Sequence, residues 1–260
     1  SESIKAAFLT ARIQRTAQNL PGLREAIGRA MRVSDASGDR LLQARSALQA
    51  GRFSIEADPD LSLSILEKGL IRAREADALA IEAAICGHIA SIQIRRAFVS
   101  EAKKYSEAEM EAIGRAGIVQ GTLRNKLRLA RCFDLLGQLK QCADMLESET
   151  PPDGDTPSGV GLLSYRSQIK LSQGRLRGAS EDAEAAVRLA ARGNGRDLAD
   201  ALLHRAEYAL AIADPQAAST DLEAAKRASD TARGVHRPFE DALFGLSQTE
   251  LLILQGDLVN

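Results

Sequence analysis

The sequence contains no tryptophan, and aromatic residues make up only 3% of it. A β-sandwich core rich in Val, Thr and Tyr is therefore disfavoured, and the expected fold class is all-α, with helices that approach one another through small residues. Cysteine is nearly as scarce. Cys86, Cys132 and Cys142 make an odd count without CxxC spacing, so neither a disulfide framework nor a zinc site is expected, and the three are read as reduced, half-buried thiols. Charge of one sign is missing too: acidic and basic residues number 35 and 34, and the pI is about 6.3. That balance argues against a dominant pull towards nucleic acid or an anionic membrane and leaves only local basic patches. The longest charge-free apolar run, AAICGHIASIQI at 83–94, is well short of the roughly 18 residues of a membrane span. The first twenty residues carry Glu2 and no signal-peptide core, so a cytoplasmic location is the default expectation.

Signatures of catalysis are also missing. There is no GxxxxGK[ST] phosphate loop, no HExxH, no GxSxG elbow and no suggestive Cys/His pair. GNGR at 193–196 has glycines but no preceding strand, and reads as a turn between helices. His88, His204 and His236 are scattered over separate segments, which gives no metal site. The expectation is a protein that is not an enzyme, with no cofactor and no metal.

What the chain does have is 45% hydrophobic residues and a repeat. In KLSQGRLRGASEDAEAAVRLAARG, residues 170–193, a glycine turn at Gly174 is followed by Ala179, Ala183 and Ala186 at helical spacing. Comparable small residues, each ending one amphipathic helix before another begins, stand at Gly51, Ala97, Gly137, Ala213 and Gly256, 37 to 46 residues apart. Seven positions before these turns stand Ala44, Ala90, Ala130, Ser167, Ala206 and Thr249, all small, where one helix needs close approach to its partner. Five positions after stand Ala102, Cys142, Ala179 and Ala218, and nine after stand Ser106, Leu146, Ala183 and Leu222, which keeps one packing face on the second helix. Gly51 is the exception, because SIEADPD intervenes before the next helix.

This pattern resembles the tetratricopeptide repeat (TPR), with small residues at fixed offsets on two antiparallel helices and a glycine in the turn. The resemblance runs from Ser34 to Asn260, and Arg166 and Arg205 depart from it by standing where an apolar residue belongs. It looks closer to the looser repeats of bacterial MalT-like and LuxR-type regulators, whose second helices end in Ala/Arg-rich segments such as RAREADALA and KRASDTARGVHRPFEDALF. The resemblance implies a TPR-like right-handed α-α superhelix of antiparallel hairpins. One hairpin cannot bury its apolar face, so stacked neighbours make the core.

About thirteen helices are expected. Residues 1–34 form an irregular N-terminal helical pair, 35–149 TPR-like hairpins, 150–161 a Pro/Gly-rich loop, and 162–260 further hairpins ending in an unpaired helix opened by Pro238. The loop is either a hinge or a surface insertion. The last helix lacks a partner to cover Leu251, Leu252 and Leu254, which suggests a piece of a longer chain or an end capped by a second copy of this one.

For function, Arg124, Arg128 and Arg131 recur at i, i+4 and i+7 on one face of a first helix, opposite Leu129, Phe133 and Leu136. First helices line the concave groove in TPR-like proteins, so these guanidinium groups are candidates for binding a carboxylate or phosphate. A solvated face paired with neighbouring acids is the alternative. Tyr165, Gln168, His204 and Glu207 occupy comparable places in the following first helices, and such mixed chemistry suits a peptide better than a polyanion. The expected function is a protein-protein interaction scaffold that binds a peptide or protein segment in a bacterial signalling or transcriptional regulator, without membrane or direct nucleic-acid binding. A small-ligand sensor that couples binding to self-association is the second reading.

Overall fold

The computed structural model describes residues 2–118, 122–152 and 157–231, together with Gly245, Ser247, Gln248, Thr249 and Leu251. Every regular element among the described residues is an α-helix, and twelve are delimited. The thirteenth expected helix, at 238–255, lies mostly outside the described residues. The chain divides into two compact units, Ser1–Gln138 and Leu139–Asn260. The first holds α1 (Glu2–Thr16), α2 (Leu20–Asp35), α3 (Arg40–Ser54), α4 (Pro59–Glu75), α5 (Leu79–Arg95), α6 (Val99–Ala116) and α7 (Thr122–Leu135). The second holds α8 (Leu139–Glu147), α9 (Pro157–Ser172), α10 (Leu176–Ala190), α11 (Gly195–Ala211) and α12 (Pro215–Thr231).

The turns show why the chain reverses where it does. Ala97, Gly137, Gly174 and Ala213 all have left-handed backbones, with φ of 61°, 70°, 72° and 57°. Each sits in the same pair of reversed hydrogen bonds: Ala97 N–H reaches Ile94 O at 3.0 Å and Phe98 N–H reaches Gln93 O at 2.9 Å, a Schellman closure that satisfies the last carbonyls of α5. The other three repeat it, with Gln138 to Phe133, Arg175 to Lys170 and Asp214 to Ala209 at 2.8, 2.8 and 2.9 Å. Helix starts are equally explicit. Pro59, Pro157 and Pro215 each open a helix, where the missing N–H costs nothing. Asp39, Asp58 and Asn194 accept hydrogen bonds from first-turn amides.

Packing follows the small-residue register. Ala44, Ala90, Ala130 and Ala206 are fully buried and Ser167 is 2% exposed, as are their counterparts Ala102, Cys142, Ala179 and Ala218 at 0%. The Ser167 hydroxyl donates to Ala179 O at 2.7 Å, so α9 and α10 touch at backbone distance. All three cysteines are free and fully buried, deeper than expected, and burial pushes the Cys86 thiol up to about 12.

Several expectations need correction. Gly51 lies inside α3 and is no turn: a Cβ there would sit 2.5 Å from the Leu66 side chain, and its carbonyl accepts from Ser62 Oγ at 2.9 Å. It marks the close approach of α3 and α4, and the chain reverses after it, ahead of the Asp58 cap. The stretch 150–161 is not all loop, since α9 begins at Pro157, and the division between units falls at Gln138 and Leu139 instead. The N-terminal pair packs like the other hairpins, with α1 against both α2 and α3. Thr249 is exposed, while Ser247 and Leu251 are buried. Leu251 joins Leu210 and Leu222 in one cluster, so it does not lack cover. Leu252, Leu254, Gly256 and His236 lie outside the described residues.

Candidate functional site

In the first unit the odd-numbered helices touch in sequence, α1 to α3 to α5 to α7, while α2, α4 and α6 do not touch one another among the described residues. Such a layer pair bends towards its touching side, so α3, α5 and α7 present an inner face. Among the residues of these helices that reach solvent are Arg45, Leu48, Gln49 and Arg52 on α3, Ile81, Ala84, His88, Ser91 and Arg95 on α5, and Arg124, Arg128, Arg131 and Leu135 on α7, each set falling on one side of its helix. These sets hold six arginines, while the acids on the same three helices are the part-exposed Asp134 of α7 and the buried Glu82 of α5, which pairs with Arg74.

The three arginines singled out on α7 do share this face, but they are not equivalent. Arg124 and Arg131 are exposed and form no direct ion pair among the described residues, though the charge of Arg124 acts on Glu109. Arg128 is 14% exposed and forms an ion pair with Glu109 of α6, which is 7% exposed. Its Nε donates to Ser91 Oγ at 3.1 Å, and Ser91 Oγ donates in turn to Gly87 O at 2.9 Å. The pair lies over Gly87, where a Cβ would come within 2.2 Å of Glu109 Oε1 and 2.8 Å of Arg128 Nη1. A side chain there would have to push aside the ends of both charged groups. Burial, the largest influence on Glu109, raises its carboxyl above the ordinary value, and Arg128 and Arg124 offset this only in part. Next to this pair, His88 is held down to about 4, first by burial and then by the guanidinium groups of Arg52, Arg128 and Arg124.

The second unit is built on the same plan, α9 touching α11 while α10 and α12 do not touch. Its inner face carries Tyr165, Gln168, His204 and Glu207. Gln168 Nε2 donates to Glu207 Oε2 at 2.7 Å and lies 2.8 Å from His204 Nδ1, which is itself 3.0 Å from Glu207 Oε2. With Gln168 donating to both, the neutral imidazole accepts at Nδ1; once protonated it donates to Glu207 instead. Burial raises the Glu207 carboxyl; the hydrogen bond and charge of His204 in its donating arrangement, together with the hydrogen bond from Gln168, more than reverse this. Tyr165 stands apart from the triad, its Oη 3.9 Å from Cys142 Sγ.

Sequence reasoning missed Arg45, Arg52, His88 and Arg95. The signal was available for His88, which stands nine residues before its turn, in register with Arg128, Tyr165 and His204. It also took Arg166 and Arg205 for mismatches. They are bidentate partners of Asp182 and Asp221, at 2.8 and 2.7 Å and at 2.7 and 2.6 Å, and each joins the two helices of one hairpin. The arginines lie eight residues before the turn and the aspartates eight after it.

Among the described residues no group of His, Cys, Asp and Glu could hold a metal ion, and no helix is long and apolar enough to cross a membrane. No family model matches the sequence, and no curated protein sequence matches it. Solved structures do match. A Signal Transduction ATPase with Numerous Domains (STAND) protein with a tetratricopeptide repeat sensor from Pyrococcus horikoshii superposes with a TM-score of 0.71 at 13% identity, over 95% of this chain and 38% of that one. The apo quorum sensor NprR from B. thuringiensis gives 0.69 at 15% identity, over 99% and 71%. BtubC from P. vanneervenii gives 0.56 at 18% identity, over 91% and 93%. Together with the repeated hairpins, left-handed turns and small facing residues, these likenesses show that the chain has the fold of a TPR-like helical repeat domain.

Proposed function

We propose that this chain is a recognition module that holds an anionic peptide or protein segment on the inner face of residues 1–138. The observation that carries this reading is the charge of that face: six arginines on three neighbouring helices against one part-exposed carboxylate, Asp134 of α7, with Arg52, Arg124 and Arg131 in no direct ion pair among the described residues. Guanidinium groups crowded on one side of a protein of balanced charge repel one another, and an anionic partner relieves that cost. Three helices about 9 Å apart span about 20 Å, which matches an extended segment of about six residues. A peptide is thus a better fit than a single ion. The inner face of residues 139–260 satisfies its own polar groups through Gln168, His204 and Glu207 and supplies adaptable hydrogen bonds rather than charge.

The wider setting in this proposal is a cytoplasmic signalling or transcriptional regulator, a binding component rather than an enzyme. A second reading, a small-ligand sensor, draws on the STAND protein and the quorum sensor among the similar structures. Titrating a labelled ten-residue peptide rich in glutamate separates the two. Arg124→Glu with Arg131→Glu should weaken peptide binding at least about tenfold and leave the melting temperature unchanged. Equal affinity of the variant sinks the proposal, and tighter binding of a single-stranded oligonucleotide of the same charge would move the assignment to nucleic acid.

A further inference from the structure

The first helix of residues 1–138 carries an apolar face that the fold leaves uncovered. Ile4, Ala7, Phe8 and Ala11 of α1 are buried in one cluster with residues of α2 and α3. On the opposite side of the helix Leu9 and Ile13 are 58% and 57% exposed. There Leu9, Arg12, Ile13, Thr16 and Ala17 line a depression of about 500 Å³. α3 and α5 each touch two other odd-numbered helices, whereas α1 touches only α3 among the described residues. An apolar patch at a position where the repeat would stack a further helix marks a docking face. Lys5 and Arg12 run along one flank of that face, and Ala6 lies along the other. Neither cation forms a direct ion pair among the described residues, while Arg15 is committed to the Phe53 ring at 5.3 Å. Glu2, the acid of α1, stands about two turns before Leu9.

We propose that this face docks an amphipathic α-helix of a partner protein, with apolar side chains seated against Leu9 and Ile13 and acidic side chains on the flank that meets Lys5 and Arg12. The partner helix would lie on α1 as α1 lies on α3, which continues the stacking already present in the array. The flank charge selects the occupant. A second copy of this chain would meet Lys5 and Arg12 with the same cations if the two α1 helices ran antiparallel, and with the Ala6 flank if they ran parallel, so neither arrangement supplies an acid. A bilayer is a poorer match, because two cations beside two large apolar side chains fall short of what stable membrane anchoring needs. An acidic flank on the partner also gives specificity, since a helix with lysines there would be repelled. This surface lies on α1 and is separate from the inner face of α3, α5 and α7.

The experiment follows leucine and isoleucine methyl signals of the whole chain by NMR while a synthetic helix of about eighteen residues is added, with leucine along one face and glutamate along one flank. Affinity is read at the Leu9 and Ile13 signals. Both should shift, and a probe with alanine in place of its leucines should bind there at least about tenfold more weakly. Lys5→Glu with Arg12→Glu alters only exposed side chains and should keep the melting temperature. It should weaken the glutamate probe at least about tenfold and restore binding to a probe with lysine along that flank. Equal affinity of parent and variant for the glutamate probe overturns the proposal, and so do shifts confined to Leu48 and Leu135, which would place the helix on the inner face. Shifts of Leu9 and Ile13 that grow with protein concentration in the absence of probe would assign the face to a second copy. Larger shifts there with phosphatidylserine vesicles than with the probe would assign it to a membrane, and either result also overturns the proposal.

Discussion

The two units fill the same slot of the repeat with opposite chemistry. Eight residues on either side of the turn, the hairpin of α5 and α6 places Ile89, fully buried, and Tyr105 in one apolar cluster. At the same offsets the hairpins of α9 with α10 and α11 with α12 place Arg166 on Asp182 and Arg205 on Asp221. Residues 139–260 commit arginines to joining helices within a hairpin. Residues 1–138 close that hairpin with carbon and leave arginines on the inner face. One scaffold thus carries a cationic surface in one unit and a self-satisfied polar surface in the other, and the difference lies in which register positions receive the charge.

Breaking one partner of a hairpin ion pair should have the largest effect. Asp182 is 8% exposed and also accepts from Lys170 at 2.7 Å, so Asp182→Ala leaves two cations uncompensated and should cost about 4 kcal/mol in chemical denaturation. Arg166→Leu with Asp182→Leu makes the slot resemble that of the first unit but leaves Lys170 without its acid, and should recover about half of that loss. A double variant as unstable as the single one would show that the slot is not interchangeable.

The glycine crossing in the first unit comes next. Gly87→Ala should displace the Glu109 and Arg128 pair and cost about 3 kcal/mol, against the slight gain expected of alanine in a helix. A more stable variant would contradict the close approach.

Acid should then separate the units. A histidine held down to about 4 contributes stability that is complete above its ordinary value of 6.5 and is lost as pH falls towards 4. The lowered carboxyls of Asp182 and Glu207 contribute stability present above the ordinary carboxylate value and lost only below it. Glu109, whose value is raised, acts in the opposite sense and loses its contribution as pH rises. The difference between parent and His88→Gln isolates the histidine: it should shrink by about 2 kcal/mol between pH 7 and pH 4.5, after discounting the part of the ring that water screens. Parallel pH curves would remove the buried-histidine account. The smallest effect belongs to the turns, where Ala97→Gly should stabilise by about 0.7 kcal/mol because alanine is strained at positive φ. A loss of stability would mean that the turn is not left-handed.

Much of the fold was legible because close approach leaves few residue choices. Ala90, Ala130, Ser167 and Ala206 before the turns, and Ala102, Cys142, Ala179 and Ala218 after them, were identifiable from spacing alone. Gly51 misled because a small residue serves a turn and a helix contact equally well, and only its neighbour Leu66 tells them apart. The shared face of Arg124, Arg128 and Arg131 was readable from helical periodicity. Which of them is spent on Glu109 was not, since that depends on α6 crossing Gly87. Arg166 and Arg205 looked wrong because their aspartates lie on the partner helix, sixteen residues away.

The most direct test of the central claim is a footprint of arginine side chains. Phenylglyoxal labelling read by mass spectrometry, with and without the glutamate-rich peptide, reports each guanidinium separately. The account predicts protection of Arg52, Arg124 and Arg131, with Arg177 and Arg188 on α10 labelled equally in both states. Protection at those α10 arginines, or none on α3 and α7, would contradict it.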